Sequence, residues 1–333
     1  MNRLILCLCL SALLLLLIAC EPLAYQPTPV SVVITTEPTQ VSLPTVAPSS
    51  TPTRTPIPTA TPDHTPTATP FPCDEVRGQL FDIAYDSDHA DETLDVRVYV
   101  PPCYSVSQRR YPVVYLLHGL GTDEEQWEEI GLYDALDQGI RLGVLPPMMV
   151  VTPELGRIGQ RNSFPPDRSY ETFVLDELLP RIQRQFCTIN TRNTRAIGGI
   201  SRGGFWAFSV AMRHPDLFGS VGGHSAFFPN NVDEIPPAFS PLDLALNSTF
   251  LQDANLRMYL DNGTSDSSGP SQQLFSNRLS ARGISHTYEV HPLGEHNNDY
   301  WATHVSEYLS FYGANWPETY SALPSCAEPS PTR

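Results

Sequence analysis

A chain of 333 residues with a formal net charge of −16, whose 20 basic residues are all arginine, has no basic patch and is a poor partner for nucleic acid. Its acidity by itself speaks only for solubility. Not all of the length can belong to a globular domain, because the first 72 residues are of a different material from the rest.

Residues 1–19 carry Arg3 and then an almost unbroken apolar run, the n-region and h-region of a signal peptide. The run ends Leu17-Ile18-Ala19-Cys20, which resembles the lipobox of bacterial lipoproteins. That resemblance implies Cys20 as a lipidated N-terminus and places the remainder outside the cytoplasm, on the membrane through its lipid anchor. Residues 20–72 alternate Thr and Pro with few large apolar side chains. Such a stretch cannot bury enough surface to offset its ordering entropy, and proline stiffens it into an extended tether. Residues 73–326 have the size of one α/β domain, and 327–333 form a tail.

Within the domain, residues 79–85 and 93–100 alternate apolar and polar and read as a hairpin on an antiparallel edge. Residues 111–117 are continuously apolar, as expected of a strand buried on both faces, and break at His118-Gly119-Leu120-Gly121. A helix follows over about 133–142, then a buried strand over 148–152. Residues 154–169 read as loop, and 170–186 repeat apolar residues at helical spacing. The strand 196–200 leads into a helix closing at His214-Pro215. Further strands are expected at 219–224, 256–260 and 287–291, with helices at 271–281 and 299–311. Residues 226–254 lack a period and read as an inserted cap. Strands alternating with helices after a hairpin predict a mostly parallel sheet with helices on both faces, its ligand site at the carboxyl ends of the strands.

Cys7 and Cys9 fall in the signal, which leaves Cys73, Cys103, Cys187 and Cys326 as two disulfides in an oxidising compartment. All four are expected at the end opposite the ligand site. Three pairings are open, with Cys103–Cys187 and Cys73–Cys326 preferred. No cysteine pair has zinc-ligand spacing, and no metal or cofactor is expected.

Gly199-Ile200-Ser201-Arg202-Gly203 fits G-x-S-x-G, a serine lifted on a sharp strand-to-helix turn. A serine hydroxyl needs a base within hydrogen-bond reach. His296 lies after the last strand and before the last helix, where a loop can reach back to Ser201; the other histidines fit less well. The orienting acid should follow the preceding strand, where Asp261 and Asp266 stand. Asp266 lies beyond the Gly263 turn and is preferred, while Asp299 reads as a helix cap. The backbone amides of Arg202 and Leu120, with Gly121 as substitute, are the expected oxyanion donors, and the Arg202 side chain is expected in solvent.

Taken in order, several segments resemble the esterase D branch of the α/β-hydrolase superfamily, which includes feruloyl and acetyl-xylan esterases and mycolyltransferases. They are Tyr111-Pro-Val-Val-Tyr-Leu-Leu-His-Gly119 with Trp127, Pro147-Met-Met-Val-Val-Thr-Pro153 and Phe173-Val-Leu-Asp-Glu-Leu-Leu-Pro180. Arg195 to Gly204, His214-Pro-Asp-Leu-Phe218, Gly263-Thr-Ser-Asp266 and Gly294-Glu-His296 with Trp301 complete the series. The resemblance implies an α/β-hydrolase fold with Ser201, Asp266 and His296 as the triad. The chain departs from the family in Arg202, where methionine is usual, and in Glu295, where the family has a second glycine before its histidine. The expected activity is serine carboxylic ester hydrolysis, on a small-molecule or polysaccharide-linked ester such as a feruloyl or acetyl ester. A mycolyltransferase-like acyl transfer and a binding module on the same scaffold are the alternatives.

Overall fold

The computed structural model describes residues 73–230 and 234–330; the expected signal, Cys20 and the whole tether lie outside the described residues. One eight-stranded sheet runs through the domain in the order β1-β2-β4-β3-β5-β6-β7-β8. β1 (Gln79–Ser87) and β2 (Glu92–Val100) form the antiparallel hairpin, and β2 also pairs antiparallel with β4 (Met149–Pro153). From β4 onward every pairing is parallel, through β3 (Val113–Leu117), β5 (Arg195–Ile200), β6 (Ser220–His224), β7 (Arg257–Gly263) and β8 (Thr287–His291).

Alternation along the strands divides the core in two. In β3, Val113, Tyr115 and Leu117 enter one apolar cluster while Val114 and Leu116 enter the other. The second cluster is completed by α1 (Leu132–Arg141) and by the final helix. The first is completed by α2 (Leu179–Gln185, with Tyr170–Thr172 and a π-helical stretch Phe173–Leu178 before it) and α3 (Arg202–Arg213). α4 (Pro241–Asn247) and α5 (Gly269–Ala281) pack on that face too. The final helix is α6 (Asn298–Gly313). A sheet covered on both faces explains why β3, β4 and β5 are buried at every position and read as unbroken apolar runs. This is the α/β-hydrolase fold expected above.

Two expectations are corrected. The disulfides are Cys73–Cys103 and Cys187–Cys326, with Cα separations of 5.9 and 5.7 Å, and not the preferred pairing. The chain near Cys73 runs beside the end of β2, where Glu75 accepts the Cys103 amide at 2.7 Å. The C-terminal segment instead lies along residues 108–111: the Arg110 amide donates to the Pro324 carbonyl and the Cys326 amide to that of Gln108. Tyr111 donates to the Cys187 carbonyl from the same segment, which brings Cys187 and Cys326 together. Packing continues past residue 326, since the Asn190 amide donates to Ser330 Oγ at 2.8 Å. The expected cap is the second correction. Phe228, Ile235, Phe239, Leu242 and Leu251 are buried in the first core cluster, so most of that insert fills the side of α3 and α5. Phe227, Pro229, Asn230 and Glu234 of the insert instead line the cleft over Ser201.

Candidate active site

Ser201 stands between the last residue of β5 and the first of α3 with φ 53° and ψ −110°. A non-glycine residue there costs on the order of 1–3 kcal/mol and persists only if its surroundings hold it. The Ser201 amide donates to the His224 carbonyl at 3.0 Å, and its carbonyl accepts from the Phe205 and Phe227 amides at 3.1 Å each. The flanking glycines are required by contact. A Cβ on Gly199 would lie 2.4 Å from the Gly203 carbonyl carbon, and one on Gly203 would lie 2.3 Å from the Leu117 oxygen. Neither obstacle is a side chain that could swing aside.

The loop after β3 lies beside this turn: a Cβ built on Gly119 would sit 3.7 Å from Ser201 Cβ. Its shape is set by His118, which is 1% exposed. His118 Nε2 accepts the Leu155 amide at 2.7 Å, so the proton sits on Nδ1, which donates to the Gly119 carbonyl at 2.7 Å. The Gly119 amide donates to Gln126 Oε1 at 2.8 Å. With both polar groups of Gly119 engaged, the next amide is Leu120. The Leu120 and Arg202 amides have no hydrogen-bond acceptor among the described residues. Burial lowers the pKa of His118 from 6.5 to about 4. Between those values the unfolded chain takes up a proton that the folded chain refuses, so stability falls as pH drops from about 6.5 toward 4. Replacing His118 by glutamine is expected to flatten that part of a urea-unfolding profile against pH. An unchanged slope would remove His118 from the account.

Asp266 and His296 come from the loops after β7 and β8. His296 Nδ1 donates to Asp266 Oδ1 at 2.9 Å, and the Ser268 amide and hydroxyl donate to the same oxygen at 2.7 Å each. Burial pushes the Asp266 carboxyl up, but the bond from His296, the neighbouring Ser225 hydroxyl and the two bonds from Ser268 win and hold it at about 2. An ionised Asp266 keeps the His296 proton on Nδ1 and leaves Nε2 free to act as a base. His296 is also braced edge-on by Trp301, ring centroids 5.2 Å apart, and Trp301 Nε1 donates to Ser225 Oγ at 2.8 Å. Ser225 directly follows His224, whose carbonyl holds Ser201, so the Ser201 turn and the His–Asp pair share one scaffold. A cleft of about 490 Å³ opens over Ser201, lined among others by Leu120, Arg202, Phe227 and Pro229.

The family model Esterase ("Putative esterase") matches residues 87–312, about two thirds of the chain. The chain belongs to this esterase family. An esterase of Mycobacterium tuberculosis is 38% identical over 135 residues, which are 39% of this chain and 28% of that protein. An endo-1,4-beta-xylanase/feruloyl esterase of Xylanibacter ruminicola is 30% identical over 157 residues, 44% of this chain and 21% of that protein. The chain thus spans about a quarter of the length of these curated relatives. A solved structure of a ferulic acid esterase superposes with a TM-score of 0.64 at 25% identity, covering 71% of this chain and 98% of that one.

The Arg202 side chain is not in solvent as expected. It is 8% exposed, with Nε donating to the Gly159 carbonyl at 2.9 Å and a second nitrogen donating to that of Arg161 at 2.5 Å. Its guanidinium lies over the Phe205 and Trp206 rings, 4.7 and 5.2 Å from their centroids. Burial lowers its pKa to about 10. The arginine next to the candidate nucleophile therefore ties the segment 156–161, one wall of the cleft, to α3. The segment itself contains a short helix, Gly156–Gln160, where the sequence read as loop.

Asp261 is the other residue whose environment sequence reasoning did not reach. Its carboxylate is fully buried, accepting Tyr300 OH at 2.6 Å and Tyr308 OH at 2.9 Å on one oxygen and facing His224 Nδ1 at 2.8 Å on the other. His224 Nε2 meets Tyr312 OH at 2.9 Å, and the ring stacks on Tyr308 with centroids 3.6 Å apart. A second Asp–His pair thus sits beneath the candidate site, closed off from solvent and saturated with partners. The tyrosines at 300, 308 and 312 fall at i, i+8 and i+12 on one face of a helix; that stripe was the available signal.

Proposed function

We propose that this esterase is a serine carboxylesterase held outside the cytoplasm by a lipid on Cys20, with residues 20–72 as its tether. Ser201 attacks the ester carbonyl as His296 Nε2 takes its proton. The Leu120 and Arg202 amides receive the oxyanion, His296 protonates the departing alcohol, and water activated by the same imidazole releases the acid. The observation that carries this reading is the strained Ser201 turn sharing its scaffold with an imidazole whose partner carboxyl is held at about 2.

The proposed substrates are feruloyl or acetyl esters of polysaccharides. Leu120, Phe227 and Pro229 offer apolar surface for an acyl group, and Asn162 and Asn230 offer hydrogen bonds to a polar alcohol. The feruloyl esterase activity named for two of the similar proteins supports the aromatic acyl group. The two disulfides and the n-region and h-region of residues 1–19 support export.

The test is a substrate series of p-nitrophenyl acetate, butyrate and octanoate beside methyl ferulate, with products quantified with and without an acceptor sugar. We expect free acid in step with released alcohol in both conditions, and kcat/KM for methyl ferulate at least ~10-fold above the octanoate, a margin of about 1.4 kcal/mol in the transition state. Octanoate preferred over ferulate would refute the aromatic assignment. Acyl appearing on the sugar would move the reading to transfer.

A further inference from the structure

A cluster of side chains able to ligate a metal lies where the end of β8 meets α6, on either side of the loop that carries His296. His291 ends β8, and Glu289 precedes it by two residues, on the same face of the strand. His304 and Glu307 lie three residues apart on α6, on one face of that helix. The strand face and the helix face meet. The nearest ligand atoms of His291, His304 and Glu307 all lie within 4.8 Å of one another. His304 Nδ1 is 2.9 Å from Glu307 Oε2, while His291 Nε2 is 3.8 Å from Glu307 Oε2 and 3.6 Å from Glu289 Oε2.

His291 Nε2 makes the arrangement informative. The atom is buried and has no hydrogen-bond partner, although two carboxylates face it. Both are beyond hydrogen-bond distance. Glu307 is at the right distance to share an ion with it and with His304. Ligands at zinc bond lengths of about 2.1 Å stand about 3.4 Å apart in a tetrahedron, and the 2.9 and 3.8 Å from Glu307 to the two imidazoles bracket that figure. Glu289 Oε2 instead accepts Tyr259 OH at 3.0 Å and stands outside the cluster. His304 is packed between the His291 ring, 3.9 Å away, and the Tyr300 ring, 4.7 Å away, which limits where its imidazole can point.

We propose that His291, His304 and Glu307 form a three-residue binding site for a zinc-class divalent metal, with water as the fourth ligand. Two imidazoles with one carboxylate suit a borderline ion such as Zn²⁺, and disfavour Ca²⁺ or Mg²⁺, which prefer oxygen alone. The site would act structurally. It joins the end of β8 to the second turn of α6 and so brackets residues 292–297, the loop holding His296. Its occupation would stiffen that loop without touching the ester.

The experiment uses the full chain without a histidine tag, stripped with EDTA and titrated with Zn²⁺, and separately with Co²⁺ as a spectroscopic probe. One equivalent of zinc should bind, and at hundredfold excess over Kd the melting temperature should rise by roughly 5 °C. Co²⁺ should give the visible absorption bands of four-coordinate geometry. H304Q and E307Q should each weaken zinc binding by at least ~100-fold and abolish the thermal shift. His89→Gln, at a half-buried position outside the cluster, should change neither. Absence of both stoichiometric zinc and the cobalt bands would overturn the proposal, leaving an ion-pair cluster on the surface. So would full binding in both cluster variants. Should H304Q not fold, the cobalt spectrum of the unaltered chain and the E307Q titration still decide.

Discussion

Ser201→Ala is expected to lower kcat for methyl ferulate by roughly 10⁴- to 10⁶-fold while leaving KM within about threefold. The magnitude follows from what is lost. Without the hydroxyl no acyl-enzyme forms, and His296 and Asp266 are left orienting nothing that reacts. What survives is the pair of amides at Leu120 and Arg202 and the cleft itself, which can hold an ester for attack by water; residual catalysis of about 10³ over solvent is the expected floor. The fold should be unaffected. Alanine keeps the Cβ and the backbone bonds to His224, Phe205 and Phe227, so the strained turn is held as before. Two measurements check this together: steady-state kinetics with the melting temperature as control, and mass spectrometry of acid-quenched enzyme. The unaltered chain should carry an acyl mass on the peptide containing Ser201, and the variant should carry none. More than about one per cent of wild-type kcat in a well-folded variant would exclude Ser201 as the nucleophile.

The second large effect separates the two aspartates. Asp266→Asn is expected to reduce kcat by about 10⁴-fold, because an amide facing Nδ1 favours the wrong imidazole tautomer and cannot stabilise the imidazolium. Asp261→Asn is expected to act on stability instead, costing about 3–5 kcal/mol. The amide puts a donor among donors, and the hydroxyls of Tyr300 and Tyr308 and the His224 imidazole are buried with nowhere to turn. Activity in the Asp261 variant should fall only as far as the folded population does, with a further small loss because the Asp261 carbonyl also holds the Ser225 amide. Kinetics at 15 °C and chemical denaturation of both variants give the comparison. If the Asp261 variant is stable and inactive while the Asp266 variant is active, the roles are reversed.

Much of the fold was legible because the signals are local. The runs at 111–117, 148–152 and 196–200 each fell within two residues of a strand, since a strand buried on both faces has no polar position to blur its ends. The helices at 133–142 and 271–281 were placed to within two residues, the first with Gly143 near its end. The short helix Gly156–Gln160 was missed because its Arg, Asn and Pro neighbours read as loop. Its stability comes from Arg202, 41 residues or more away, and from the Trp206 indole donating to the Gly159 carbonyl. The insert 226–254 misled for a related reason: without a period, an aromatic-rich segment looks the same whether it covers a cleft or fills the side of a core.

The candidate site divides along the same line. Ser201 could be read from five residues because a serine on such a turn demands glycine on both sides, and that demand is written next to it in the chain. His296 and Asp266 could be placed by their order and by the strands they follow. The order β4-β3-β5 at the centre of the sheet, the disulfide partners and the burial of Arg202 could not, because each depends on which distant segments touch. The same holds for Asp261 and for the cluster at His291. Two aspartates five residues apart in one strand-and-turn are alike as sequence. One meets an imidazole at the edge of a cleft and the other is enclosed by three tyrosines and a histidine, and only the packing of α6 across β6 and β7 separates a carboxylate suited to chemistry from one that holds the floor beneath it.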